Sequence, residues 1–269
     1  MNFYFSVISH QHQDLIKALG TLERLAKFEH VSVIFRDNVK VDEMQLYSTM
    51  RNIKYVANTS EAGFSRNNNL NYLHAISLGM QENDYFILLN PDVDMSTEMI
   101  AALLGRLRQD KAALAAPNLY LDKNETLFDD NLRLYPNFVS FVKNYLFNSR
   151  KTVVDKSKPE SVPEHFWASG AFLAVNAGLY RTLGGFDETY YMYCEDVDFC
   201  LRANRHGERI KFMDDVHAVH YRRRSSQDFM SQAFFQHVKS VFLYHFASRR
   251  FRTNKSCLKE LDSTMKKAW

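Results

Sequence analysis

An apolar run ends in Asn90-Pro91-Asp92-Val93-Asp94, which carries two carboxylates one residue apart. In a turn such a pair can converge on one hard cation. Mg²⁺ or Mn²⁺ takes one or two carboxylates and completes its shell with water and substrate phosphates. Pro91 stiffens the turn, although the same residues also make an ordinary polar turn. A second acidic group, Glu195, Asp196 and Asp198, follows the aromatic run Tyr190-Tyr191-Met192-Tyr193. It falls in the first turn of a predicted helix, where the helix dipole favours anions and capping accounts for part of the pattern. Asp198 and Arg202 have the i,i+4 spacing of a simple pair. Glu195 and Asp196 are neighbours and cannot both face one way, which leaves one free to act as general base toward a hydroxyl. The aromatic run suits a sugar-binding wall. His217 and His220 lie three apart on a predicted strand and point to opposite faces, so at most one serves a given site.

These groups need a frame. Phe3–Ile8, Val31–Phe35, Ile53–Ala57 and Tyr85–Leu89 read as strands. Helical spacing lies between them: Leu15, Ile16, Leu19, Leu22 and Leu25, then residues 41–50, then 66–80. Ser96 caps a further helix with Met99, Ile100, Leu103 and Leu107 on its inner face. Such alternation predicts a mostly parallel sheet flanked by helices, with ligands at the carboxyl ends of the strands. Ser9, Asp37 and Asp92 all stand just past a strand end. In the second half, 150–164 reads as a mobile polar loop, Phe166–Val175 as one buried strand, and 195–206 as a helix stopped by Gly207. Residues 210–213 and 216–221 read as two strands, and 226–250 as a long helix.

The chain has 269 residues, 46% hydrophobic and 24% charged, which excludes global disorder. No stretch approaches the about 20 apolar residues of a membrane span, and the N-terminus does not read as a signal peptide. Cys194, Cys200 and Cys257 form no even-numbered framework, as expected of free thiols in a reducing cytosol. Neither a GxGxxG nor a P-loop pattern occurs, so a bound nucleotide must be held by another device. Net charge is +3, yet residues 221–269 hold eleven lysines and arginines against three acids. A mildly acidic body with a basic tail points to an anionic partner or to a solvated helix face.

Together the motifs resemble those of the family 2 glycosyltransferases, and in particular of bacterial rhamnosyltransferases that build O-antigen. Gly63-Phe64-Ser65-Arg66-Asn67-Asn68-Asn69-Leu70 is similar to the family's GFGRxNNL segment, and Leu89-Asn90-Pro91-Asp92 to the LNPD form of its DxD motif. Trp167-Ala168-Ser169-Gly170-Ala171-Phe172 resembles the acceptor-side strand. Gly184-Gly185-Phe186-Asp187 with Tyr193 to Arg202 resembles the GGFDE…YxEDxDxxxR block, and His220 followed by Ser225 the terminal H…S element. The likeness spans roughly residues 3–250. Two departures stand out: Asn90 occupies the first DxD position, and Arg222-Arg223-Arg224 replaces a small or histidine-rich turn.

The resemblance implies a GT-A-like α/β domain over residues 1–225 and an amphipathic basic helical extension over 226–269. It implies an inverting transfer of a sugar, L-rhamnose from dTDP-rhamnose, to GlcNAc-pyrophosphoryl-undecaprenol or a similar lipid-linked acceptor. Asp196 would be the base, with Glu195 as the second candidate. Ser9, Asp37, Asn38, Arg66, Asn68 and Asn69 would bind the nucleotide. Asp92, Asn90, Asp94 and His220 would hold Mg²⁺ or Mn²⁺, and Trp167, Gly170 and Tyr193 would meet the acceptor. In the tail, Phe229, Ala233, Phe234, Val238, Val241, Phe242 and Phe246 recur at helical spacing, with Lys239, Arg249, Arg250, Arg252 and Lys255 beside or after them. That pattern suits the cytoplasmic face of an inner membrane and not nucleic acid, or packing onto the domain. A nucleotidyltransferase lacks its basic glycine-rich loop here; a non-catalytic sugar or lipid binder is the other alternative. Oligomeric state is left open.

Overall fold

A computed structural model of the protein describes residues 1–137, 150–222, 232–249 and 253–259. Ten strands run in chain order: β1 (Phe3–Ser9), β2 (Val31–Asp37), β3 (Lys54–Ala57), β4 (Tyr85–Leu89), β5 (Val93–Asp94), β6 (Leu114–Tyr120), β7 (Leu132–Arg133), β8 (Trp167–Ala168), β9 (Phe172–Asn176) and β10 (Ile210–His220). The helices among the described residues are α1 (Gln13–Leu19), α2 (Thr21–Leu25), α3 (Asp42–Thr49), α4 (Phe64–Ser77), α5 (Thr97–Asp110), α6 (Ala177–Thr182), α7 (Glu195–Arg205) and α8 (Gln232–Ser248).

The main sheet has the order β3-β2-β1-β4-β9-β6-β10-β5. Its first four strands are parallel, as helical crossovers require. Beyond β4 the sheet becomes mixed, because β9 runs antiparallel to both β4 and β6. The chain leaves β1 for β2 on one side and returns as β4 on the other. The carboxyl ends of β1 and β4 therefore form a switch point, where open α/β sheets leave a crevice.

Alternation along the strands sets the core. Phe3, Phe5 and Val7 face the α5 side with Leu103 and Leu107, whereas Tyr4 joins Phe86, Tyr180 and Phe199 on the other. Each buried leucine or phenylalanine contributes roughly 1.5–3 kcal/mol of transfer free energy. Ser96 caps α5 by accepting from the Met99 amide at 3.2 Å, and Lys111 ends it in a left-handed conformation.

Three segments differ from expectation. Residues 166–175 form two strands in different sheets, since the chain turns at Ser169-Gly170-Ala171. Residues 210–220 form one strand with a bulge between Met213 and His217. The stretch 150–164 is not a free loop. Leu134 donates to Thr152 O at 2.7 Å, Val153 bridges to Arg133, and the Lys156 ammonium is buried against Leu119 O (2.8 Å) and Asn131 Oδ1 (2.6 Å). β6 gave no clear signal, being interrupted by Pro117. The proline is tolerated because the β9 ladder pairs only with Leu114 and Ala115 and has ended before it.

The extension does not stand apart from the body. Val241 and Tyr244 of α8 pack on Tyr190, Cys194 and Val197. Residues 253–259 return to the domain: Asn254 Nδ2 donates to Leu183 O, Ser256 Oγ to Gly184 O, and Leu258 enters the core. Arg223, Arg224, Ser225, Phe229, Arg250 and Arg252 lie outside the described residues, as do the side chains of Ala233 and Phe234.

Candidate active site at the carboxyl edge of the sheet

β1, β2 and β3 end in register at Ser9, Asp37 and Ala57. Asp37 is buried, and its Oδ2 accepts from the Val41 amide (3.1 Å) and the Tyr55 hydroxyl (3.2 Å). Burial raises its pKa, and the bonds from Tyr55, Val41 and Ser9 oppose that rise. Asn38 Oδ1 accepts from Ala62 N, Asn58 Nδ2 and Asn67 Nδ2 at 2.9–3.1 Å, fixing the loop at this end of the sheet edge.

Behind that loop lies a buried polar network whose partners are far apart in the chain. Arg36 donates to Asn71 and Asn58, Asn71 to Ser6, and Ser6 to Asn68. Asn68 Nδ2 returns to Phe64 O, while Asn69 bonds Phe186 and Glu188 and accepts from Tyr180. Asparagine is a weak helix former, so a run of asparagines inside α4 is explained by these bonds. Asn68 and Asn69 thus tie α4 to β1 and to the Gly184–Glu188 loop. Arg66 is exposed and paired with Glu188 at 3.0 Å.

The turn after β4 carries the second group. Asn90 N donates to Ala171 O at 2.8 Å. Asp92 is buried, and its Oδ1 lies 3.4 Å from His220 Nε2. His220 Nδ1 meets Asp129 Oδ2 at 2.7 Å, and Arg222 Nε donates to the same carboxylate oxygen at 3.0 Å. Burial disfavours the charged imidazole, but the Asp129 and Asp92 carboxylates outweigh it and hold the His220 pKa up at about 9. Asp94, by contrast, pairs with Arg24 of α2. Of the expected cation ligands the structure brings Asp92 and His220 together. A carboxylate oxygen beside an imidazole nitrogen, itself backed by a carboxylate, fits Mg²⁺ or Mn²⁺ that displaces the imidazole proton on binding and takes its remaining ligands from phosphates. Among the described residues no three His, Cys, Asp or Glu side chains form a complete cation cage.

His217 turns the other way, with Nδ1 at 3.1 Å from Glu125. The bulge sits before it, so the two histidines keep the opposite-face relation expected of a strand.

α7 begins at the same edge. Because β4 and β9 pair with Leu89 opposite Phe172, the turn 169–171 lies beside Asn90. Gly170 N then donates to Asp196 Oδ2 at 3.1 Å, and Val197 N to Oδ1 at 2.8 Å. Glu195 points inward, and its Oε2 has no hydrogen-bond partner among the described residues. Burial raises both carboxyls. The proton of the pair belongs on Glu195, which is desolvated and faces the Asp196 charge, whereas two amides and the Arg133 charge favour ionised Asp196. Asp198 binds Arg202 at 2.9 Å, and Arg202 ties down Leu183 O and Gly185 O, a structural role.

The entry to α7 is unusual. Tyr193 and Cys194 are both left-handed, at φ 71° and 65°, a conformation that costs of order 1–3 kcal/mol per residue. Tyr191 O accepts from Phe64 N at 2.7 Å, and a Cβ on Gly63 would lie 2.3 Å from that oxygen. The N-terminus of α4 therefore buttresses the turn that aims Glu195 and Asp196. Trp167 Nε1 donates to Leu134 O at 3.1 Å, and Trp167 faces Arg133 across the β7–β8 ribbon. Tyr193 packs its ring against His237 of α8 at 5.0 Å.

No family model matches the chain. It is 31% identical over 258 residues to the rhamnosyltransferase WbbL of Escherichia coli K12, covering 94% of this chain and 96% of that protein. It is 26% identical over 236 residues to the N-acetylglucosaminyl-diphospho-decaprenol L-rhamnosyltransferase of Mycobacterium tuberculosis, covering 82% of this chain and 76% of that one. Among solved structures it is similar to GalNAc-T7 with UDP, GalNAc and Mn²⁺ (TM-score 0.63, 11% identity, 93% of this chain and 51% of that chain). It is also similar to residues 1–349 of S. aureus TarS with UDP-GlcNAc (TM-score 0.59, 13% identity, 88% of this chain and 64% of that chain). The chain thus spans less than two thirds of these solved relatives while matching the curated one almost end to end.

Proposed function

Since the chain belongs to the family 2 rhamnosyltransferase-like glycosyltransferases of the GT-A fold, we propose that it moves L-rhamnose from dTDP-rhamnose, with inversion, to a lipid-linked saccharide. GlcNAc-pyrophosphoryl-undecaprenol is the acceptor we favour, in the assembly of O-antigen or a related polysaccharide. The observation that carries this reading is Asp196, held by Gly170 and Val197 amides at the sheet edge that also carries Asp92 and His220.

In the proposed reaction the acceptor hydroxyl gives its proton to Asp196 as its oxygen bonds to the anomeric carbon. The bond from that carbon to the phosphate oxygen breaks on the opposite face, and dTDP departs. Asp92 and His220, with Asn90 beside them, would hold Mg²⁺ or Mn²⁺, which supplies positive charge against the diphosphate when bound. Asp129 keeps the His220 ring oriented for that task. Ser9, Asp37 and Asn38 form the base end of the donor pocket, with Asn68, Asn69 and Arg66 shaping it from behind. Trp167, fixed by its bond to Leu134 O, offers a ring for the acceptor sugar.

A lipid-linked acceptor is reached at a membrane. No helix among the described residues is long and apolar enough to cross one. Phe235, Phe242 and Phe246 of α8 are at least half exposed, and at 3.6 residues per turn they share one face with exposed Lys239 and Arg249. Apolar rings flanked by cations suit insertion into an anionic leaflet at the cytoplasmic face.

A thermal-shift panel of sugar nucleotides, with and without Mg²⁺ or Mn²⁺, tests the donor. We expect dTDP-rhamnose to stabilise the protein most, and more so with metal. Equal shifts for all nucleotides would remove rhamnose from the reading.

A further inference from the structure

Three guanidiniums meet at one carboxylate beside the candidate site. Arg150 holds Asp130 with Nη2 at 2.6 Å and Nη1 at 3.3 Å. Arg133 reaches it with Nη2 at 3.3 Å and bonds the Asp130 carbonyl through Nε at 3.2 Å. Arg222 Nη1 lies 3.9 Å away, while the rest of that guanidinium clasps Asp129. Each guanidinium has five N–H donors, more in total than two carboxylates can accept. Three guanidiniums against the two carboxylates of Asp129 and Asp130 leave the cluster with excess positive charge.

Its position is informative. Arg133 sits on β7 directly across from Trp167, and its charge is felt by Asp196. The Arg133–Val153 bridge and the bond from Leu134 N to Thr152 O hold the Arg150 end of the neighbouring segment against the same ribbon. Arg133 is a quarter exposed and Arg150 two-thirds exposed, so the row leads from the base candidate out to solvent. A sugar stacked at Trp167 would have the Arg133 end of this row beside it. Guanidiniums in a fork recognise phosphate oxygens bidentately.

We propose that Arg133 and Arg150 bind the diphosphate that links the acceptor sugar to its lipid, with Asp130 holding both side chains in place until that ligand arrives. The proposal deepens the transferase reading above and rests on it for the identity of the ligand. The shared chemistry is a diphosphate, and the donor also carries one. The two sources are separated by assigning the donor's to the Asp92–His220 end and the acceptor's to the ribbon.

The test uses the full chain and the variants Arg133→Gln, Arg150→Gln and Arg150→Lys. Steady-state transfer from dTDP-rhamnose is measured to GlcNAc joined through diphosphate to a short prenyl lipid, and to GlcNAc joined to the same lipid through a neutral ether. We expect the glutamine variants to raise KM for the diphosphate acceptor about tenfold or more. KM for the donor and for the ether acceptor should stay within about twofold, and Arg150→Lys should restore part of the loss. A rise in donor KM instead, or an equal rise for both acceptors, overturns the assignment. Binding of farnesyl diphosphate in EDTA, followed by calorimetry, gives a readout independent of transfer. Binding that weakens about tenfold in the glutamine variants supports the site even where rhamnose is not the sugar transferred. Binding indifferent to both substitutions overturns it even where transfer proceeds.

Discussion

At the scale of single residues, the carboxyl pair at the start of α7 divides its labour by solvation. Asp196→Asn should lower kcat by about 10²–10⁴-fold while leaving dTDP-rhamnose affinity nearly unchanged, measured by turnover and calorimetry. A carboxylate base works only when ionised, so with Asp196 in the proposed role activity should be present above its pKa and lost as pH falls through it. Because burial raises that pKa, the acid limb of kcat should lie above the ordinary aspartate range. Glu195 keeps its proton through that range, so Glu195→Gln should leave the limb in place; a limb that moves to lower pH would put the charge of the pair on Glu195. Asp129 is a positioning residue, joined to His220 at 2.7 Å. Asp129→Asn should weaken Mn²⁺ binding about 10–100-fold in a titration of the free protein, and unchanged affinity would leave Asp129 only a packing role.

At the scale of elements, the sequence is legible where one strand or helix carries both pattern and function. The run Tyr85–Leu89 with its Asn-Pro-Asp turn, the Ser96 cap and the acids of α7 could all be read directly. The roles of Asn67, Asn71, Asp129 and Arg133 could not, because each depends on a partner far along the chain. Asp129 acts through His220, ninety-one residues away. The segment 150–164 is illegible for the same reason: its polar composition conceals Lys156, whose pKa burial pushes down to about 7. A lysine depressed in the folded state binds fewer protons than in the unfolded chain between about pH 7 and 10.4. Stability should therefore rise with pH through that window, with a slope of up to about 1.4 kcal/mol per pH unit. Denaturant melts of the protein against Lys156→Met should show the slope only in the former. Gly63 makes a similar case between α4 and the turn before α7. Gly63→Ala forces a methyl against Tyr191 O and should cost about 1–3 kcal/mol by overpacking. It should also reduce kcat by displacing Asp196, an effect that a distant variant of equal instability would not reproduce.

At the scale of the whole molecule, the mixed sheet gathers the groups proposed for donor, cation and acceptor at one edge, and α8 presents its aromatic face on the outside. Phe242→Glu with Phe246→Glu should abolish sedimentation with anionic vesicles while sparing transfer to a short, water-soluble acceptor. Retained vesicle binding would place membrane attachment elsewhere. The return of residues 253–259 to the Gly184–Glu188 loop has a consequence for biosynthesis. Leu258 fills the core beside Gly185, and Cys257 N donates to Glu188 Oε1, which also accepts from Asn69 of α4. A nascent polypeptide still lacking this stretch leaves those groups unmet. The body would therefore close only once residues 253–259 have left the ribosome, and a chain arrested before them would be marked for proteolysis by its open seam.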